Sequence, residues 1–328
     1  MKIPFANEGS EGSEGSEGSE GSEGSEGSEG SEGSSVSGIR AYAGKRTSAL
    51  LANSLLTTSG ELTRGYFGGI SSPDTTIGPL NRNVALGRWS REVRSQLYSF
   101  ELTSRMKFSG GLNTATLKAS SGGWKVKLSR PGYDQSTVKL KDAIKEVIAM
   151  AALRPDRLSE ILTQINIPYS YFAMLLNLQP GRHRYTYEMM ASAMNFSGLA
   201  VMQFKHHFRI RRPADHSALV QPVVQTPAHG AFPAGHACQC NFLSALLTKL
   251  VGTSLGPGTD VSDQLQQLAD RIGENRVVAG VHYKKDITDG AKLGKALAKY
   301  FIKQAEYTGP NPKTALQWLW KNAAKEWG

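Results

Sequence analysis

At 328 residues and 39% hydrophobic, the chain can bury one large core or two smaller ones, which excludes a wholly disordered protein. Its two cysteines, Cys238 and Cys240, lie one residue apart, exclude a disulfide framework and read as small packing residues. The formal charge is +10, yet the first 35 residues hold nine glutamates offset by Lys2 alone, so residues 36–328 carry +18, which suits anionic ligands, nucleic acid or an acidic surface.

Met1–Asn7 lacks the apolar centre of a secretory signal, and no run of 18 apolar residues follows. The expectation is no membrane span and a cytoplasmic location. Residues 8–34 are nine EGS triplets, which cannot bury surface and repel one another. Residues 1–35 therefore read as a short peptide on a disordered linker.

Residues 36–141 read as a mixed α/β part. Asn83–Tyr98 has the spacing of one helix with a basic face. Between Glu101 and Leu140, apolar residues alternate with lysines: Trp124, Val126 and Leu128, then Val138 and Leu140. Bounded by Ser-Gly-Gly and Pro-Gly, these patterns predict a hairpin or two.

From Asp142 to the C-terminus the chain reads as a helical catalytic bundle with a C-terminal helix. Ile144, Val147, Ile148 and Ala151 mark one helix, with Pro155 beyond its stop. Further patterns cover 158–165, 169–178, 187–208, 233–250, 261–272 and 291–301. The predicted fold class is mainly α, a helical bundle with a minor β-hairpin region.

Three stretches in that region carry chemistry. In KHHFRIRRP, Lys205 and Arg212 lie seven residues apart, about two turns, and would face one way if the helix persisted. Lysine brings a mobile point charge and arginine a planar fork for oxyanion oxygens. In PAGH, Pro233 suits a first helical turn, Gly235 permits close backbone approach, and His236 stands at the rim to pass protons. In RVVAGVHYKKD, Asp286 follows His282 by one turn and can order its ring, with Arg276 as another fork. Taken singly, each stretch fits an ordinary helix end about as well. His206 and His207 read as surface or supporting histidines.

Together, Lys-x6-Arg-Pro, Pro-x-Gly-His and Arg-x5-His-x3-Asp resemble the three-part pattern of the vanadium-dependent haloperoxidase and type 2 acid phosphatase superfamily, over Lys205–Asp286. The helical chain and the segment HGAFPAGHACQ look more like the bromoperoxidase branch. His229, four residues before Pro233, stands where that branch has a histidine associated with bromide or iodide oxidation. The resemblance implies the helical bundle of that superfamily, vanadate as cofactor, and oxidation of halide by hydrogen peroxide to a hypohalous-acid equivalent that halogenates a small organic acceptor. It assigns Lys205, Arg212, Arg276 and the Gly235 N–H to the vanadate oxygens. His282 becomes the axial vanadium ligand, Asp286 the group ordering its ring, His236 the acid–base residue and His229 the halide site. It also implies a homo-oligomer.

Two residues depart from the pattern: Ala234 and Asn275 stand where the family usually has serine. The alternative within the superfamily is a phosphomonoesterase, with His282 as nucleophile and His236 protonating the leaving alcohol. A basic nucleic-acid-binding protein is the reading from charge alone, and it leaves the His282–Asp286 spacing unexplained.

Overall fold

The computed structural model describes residues 78–165, 169–255 and 260–328, with a few positions between 50 and 58. The EGS tract and the first peptide lie outside the described residues. So does most of the chain up to residue 77.

Two short helices open the described part, α1 (Arg82–Arg88) and α2 (Arg91–Thr103). Sequence periodicity predicts a single helix here. Ser90 divides it, because its side chain accepts from Val93 N and caps α2. Three antiparallel strands follow, β1 (Met106–Gly110), β2 (Thr114–Ala119) and β3 (Lys125–Ser129), in the order β1-β2-β3. Ala115, Leu117 and Ala119 on β2, with Val126 and Leu128 on β3, point inward. The alternation at Trp124–Leu128 thus marks a true strand.

The alternation at Val138 and Leu140 does not. It belongs to the first turns of α3 (Thr137–Met150), capped by Ser136, and Val138 is 68% exposed. Two apolar residues spaced by two fit the start of a helix as easily as a strand.

The bundle consists of α4 (Arg154–Thr163), α5 (Tyr169–Leu175), α6 (Arg184–Phe208), α7 (Gly235–Leu255), α8 (Val261–Val278), α9 (Lys284–Ala305) and α10 (Ala315–Ala324). The described residues are mainly helical with a small antiparallel sheet, as the sequence predicts. Pro155 opens α4 in its first turn, where its missing N–H is harmless, and does not mark an ending. Central α7 is apolar almost all round: Phe242, Leu243, Leu246 and Leu247 are inaccessible to solvent. Cys238 and Cys240 are free thiols buried in the same helix. Helix α9 lies tightly along α7, because Gly290 and Gly294 bring its backbone against Ala234 and Cys238.

The first helices are fastened to the bundle by a buried ion pair. Arg94 reaches Glu188 on α6 through two nitrogens, at 2.7 and 2.6 Å, and Tyr98 donates to the same carboxylate at 2.8 Å. Among the described residues no helix is long and apolar enough to cross a membrane.

Candidate active site

The chemistry-bearing residues sit at element ends that meet around one cavity of about 740 Å³. Lys205, Arg212, Gly235, His236, Arg276 and His282 all line it, with His229 at its mouth.

Lys205 comes from the last turn of α6. The helix does not persist to Arg212: it stops at Arg209, a left-handed cap with φ 53°. Residues 209–212 then run outside any helix, exposed and buried by turns, and Arg212 points inward. The two cations converge because the chain bends back, and helical spacing is not the cause. Lys205 Nζ donates to the carbonyls of Gly230 and Ala231, at 2.7 and 3.0 Å. Burial, then the neighbouring Arg212, lowers its pKa.

His282 also stands differently from the sequence expectation. It precedes α9, which begins at Lys284, so no helical turn joins it to Asp286. The pair forms through the helix cap. One Asp286 oxygen accepts from Tyr283 N at 3.0 Å and from His282 Nδ1 at 3.1 Å. On the other side of the ring, Arg212 Nη1 donates to Nε2 at 3.0 Å and to Val281 O at 2.7 Å. His282 is therefore the Nδ1–H tautomer with its Nε2 lone pair in the cavity. Burial, then Arg212, pushes its pKa well down, so it stays neutral.

Asp286 has no solvent exposure. Its second oxygen accepts a hydrogen bond from the Tyr133 hydroxyl. Tyr133 comes from a 3-10 turn, Gly132–Asp134, just after the sheet, and its ring packs on Tyr283 with centroids 4.1 Å apart. Burial raises the Asp286 pKa, and the Tyr133 hydrogen bond is the strongest influence opposing that rise. Sequence reasoning missed Tyr133; a lone tyrosine 153 residues from its partner leaves no spacing signal.

Gly235 and His236 open α7. His236 Nε2 donates to the carbonyls of Gln164 and Ile165, at 3.0 and 3.1 Å, leaving Nδ1 as the free nitrogen. Its pKa is pushed down to about 4 by burial, then by Arg276. The unfolded chain, with histidine near 6.5, thus binds a proton that the folded chain refuses. This contribution to stability is present above about pH 6.5 and is lost as pH falls towards 4. Thermal unfolding of His236→Gln across that window should show a flatter fall than the parent; parallel curves would rule out His236 as a source.

Arg276 near the end of α8 donates through Nη2 to Ile161 O at 3.0 Å, while its buried Nε has no partner among the described residues. A buried guanidinium N–H without an acceptor is costly and marks a place for an anion.

The two departures from the serine pattern differ in kind. Ala234 is fully buried, its N–H is taken by Asp286 O at 3.0 Å, and it does not line the cavity. Asn275, equally buried, braces α8 against α4 by donating to Glu160 and to the Gln164 side chain, each at 3.0 Å. Because the Gln164 carbonyl receives His236, Asn275 supports the imidazole indirectly. Arg154 likewise escaped the sequence reading. It donates to Val220, Gln221 and Val278 carbonyls and ties the segment approaching the cavity mouth to the end of α8. Of the adjacent histidines, His207 bonds to Gly111 O at 2.9 Å, and His206 lines a second cavity of about 550 Å³ beside the first. Exposed His229 sets Nδ1 3.1 Å from Arg212 Nη2, and its pKa is lowered by partial burial and by Lys205.

No family model matches the chain. No curated protein matches it either. Among solved structures it is similar to the crystal structure of the first transmembrane PAP2 type phosphatidylglycerolphosphate phosphatase from Bacillus subtilis. That likeness is 22% identical with a TM-score of 0.39, and it covers 52% of this chain and 89% of that one. Among the described residues there is no cluster of three or more His, Cys, Asp or Glu suited to a metal ion. The cavity is instead walled by cations around a neutral imidazole, which suits a tetrahedral or trigonal oxyanion.

Proposed function

We propose that this chain is an oxyanion-site enzyme of the type 2 acid phosphatase and haloperoxidase superfamily, and that it hydrolyses phosphomonoesters through a phosphohistidine at His282. One observation carries the reading: His282 is held neutral on buried Asp286, with Nε2 among Lys205, Arg212 and Arg276. That is an activated nitrogen nucleophile beside the charges that a phosphoryl group needs.

The steps follow from the side chains. Phosphoryl oxygens take the free N–H groups of Arg276 and draw Arg212 and Lys205 onto themselves, which frees Nε2. Nε2 attacks phosphorus, the P–O ester bond breaks, and the leaving oxygen takes a proton from His236 Nδ1. Water then attacks the phosphohistidine, His236 accepts its proton, and phosphate leaves. In the free enzyme His236 is neutral at pH 7, since its pKa is about 4. A bound dianion offsets the field of Arg276 and raises that value, so the acid form arises with substrate in place.

Tyr133→Phe tests the support beneath the nucleophile. Losing a buried hydrogen bond to a carboxylate removes about 1.5–3 kcal/mol. The expected result is a roughly ten- to hundredfold lower kcat with KM little changed. An unaltered kcat would mean that the hydroxyl does not orient Asp286.

A second reading is vanadate-dependent halide oxidation, favoured by His229 at the cavity mouth beside Arg212. The donor set fits vanadate on the same grounds as phosphate, above all the unpartnered Arg276 Nε. Lys205, Arg212, Arg276 and Gly235 would hold its oxygens and His282 its metal. When bound, vanadate supplies a Lewis-acidic centre that activates hydrogen peroxide towards halide. Here His236 would accept the peroxide proton.

Two parallel assays separate the readings: release of nitrophenol from its phosphate ester without vanadate, and bromination of a phenolic dye with vanadate, peroxide and bromide. The first reading expects ester hydrolysis that vanadate inhibits. Bromination without ester hydrolysis would overturn it in favour of the second.

A further inference from the structure

We propose that Arg209 and Arg211 form a second anion subsite, so that the substrate is a phosphomonoester whose leaving group carries a further phosphate or carboxylate. The inference deepens the phosphomonoesterase reading and rests on it for the word substrate. The subsite itself rests on the following geometry.

An outer cavity of about 550 Å³ is lined by Lys205, Arg212, Thr226 and His229, which also line the catalytic cavity, so the two adjoin. Arg209 and Arg211 line the outer cavity and not the catalytic one. Both are exposed on either side of buried Ile210, while Arg212 is turned inward. Neither Arg209 nor Arg211 has a side-chain hydrogen bond or ion pair among the described residues, whereas Arg212 and Arg276, the other two arginines lining the cavities, donate to carbonyls.

The segment is held rigidly. Ala231 N donates to Ile210 O at 2.8 Å, Arg212 N to Asp215 at 2.8 Å, and Arg130 to Phe208 O at 3.2 Å. Two arginines with no side-chain partner among the described residues therefore stand on a pinned backbone at the outer cavity, beside the catalytic cations. Asp215, the acid that lines the same cavity, accepts from Arg212 N through one of its oxygens. Guanidinium pairs hold phosphate or carboxylate in two-point contact, and a cavity walled by one sign of charge concentrates anions at its mouth.

Calorimetric binding of butylphosphonate and butane-1,4-bisphosphonate, neither of which can be hydrolysed, tests the subsite directly. The bisphosphonate should bind at least tenfold more tightly, beyond the twofold given by its two equivalent ends. Arg211→Gln should weaken that preference and leave butylphosphonate affinity and butyl phosphate turnover unchanged, and the double variant Arg209→Gln/Arg211→Gln should erase it. Lys295→Gln/Lys299→Gln removes equal charge from the exposed face of α9 and should preserve the preference. Equal affinities in the parent, a preference that survives the arginine double variant, or its loss in the lysine control would each overturn the proposal. 4-Phosphonobutanoate distinguishes the two sources: tight binding of it as well means that a carboxylate suffices. If neither butyl phosphate nor butanediol bisphosphate is hydrolysed, the phosphomonoesterase reading fails, while phosphonate binding still decides the subsite.

Discussion

His282→Ala should abolish phosphate release, lowering kcat by about 10⁴-fold or more, as loss of a nucleophile does where its partners act as a unit. The physical reason lies in what the ring alone provides. Lys205, Arg212 and Arg276 can still gather an oxyanion, so binding of inorganic phosphate should survive within a fewfold. The split is the diagnostic: turnover vanishes and affinity persists. Rapid acid-free quenching of the parent with ³²P-labelled ester should trap an acid-labile, base-stable phosphoprotein that the variant lacks. Retained turnover in the variant would sink the phosphohistidine, leaving direct attack by water activated elsewhere in the cavity.

Gly294→Ala should be the most damaging conservative change in the bundle. A Cβ at this position would lie 2.1 Å from Cys238 O and 2.9 Å from Cys238 C, both main-chain atoms that no rotamer change can move. Helices α7 and α9 would have to separate, and overpacking of this kind costs about 1–3 kcal/mol or more. For a chain of this size that is a fall in Tm of about 2–6 °C, readable by calorimetry. Gly290→Ala meets Ala234 O at 2.6 Å, next to Gly235 and His236, so its effect should fall on turnover as well as on Tm. A Gly294→Ala protein with the parent's Tm would mean that the two helices are less closely appressed than described.

The helical class was legible because α6 and α9 keep their apolar periodicity over many turns. The three short motifs were legible because they put cations, imidazoles and a carboxylate within one span of sequence. Two kinds of detail were not. The backbone route into the site is set by ends of elements: the left-handed Arg209 cap delivers Arg212, and a helix cap, not a helical turn, joins His282 to Asp286. Spacing arguments assume regular structure and lose force where it stops. Partners from distant sequence are equally silent. Asn275 read as a departure from a serine pattern, and only packing gives it the task of bracing α4. Val138 and Leu140 erred in the opposite direction, since a short alternation is too brief to separate the two periods.

The Tyr133 hydroxyl bears on how such a protein can be recombined. A chimera joined at residue 142 would inherit every recognisable motif and still lose a donor to the buried carboxylate. A library screened by motif alone would score that chimera as intact. Its defect would surface as a misdirected imidazole in a chain that folds, binds anions and turns over slowly. The crossover therefore has to lie at least upstream of Gly132, so that the turn bearing the hydroxyl travels with the histidine it steadies.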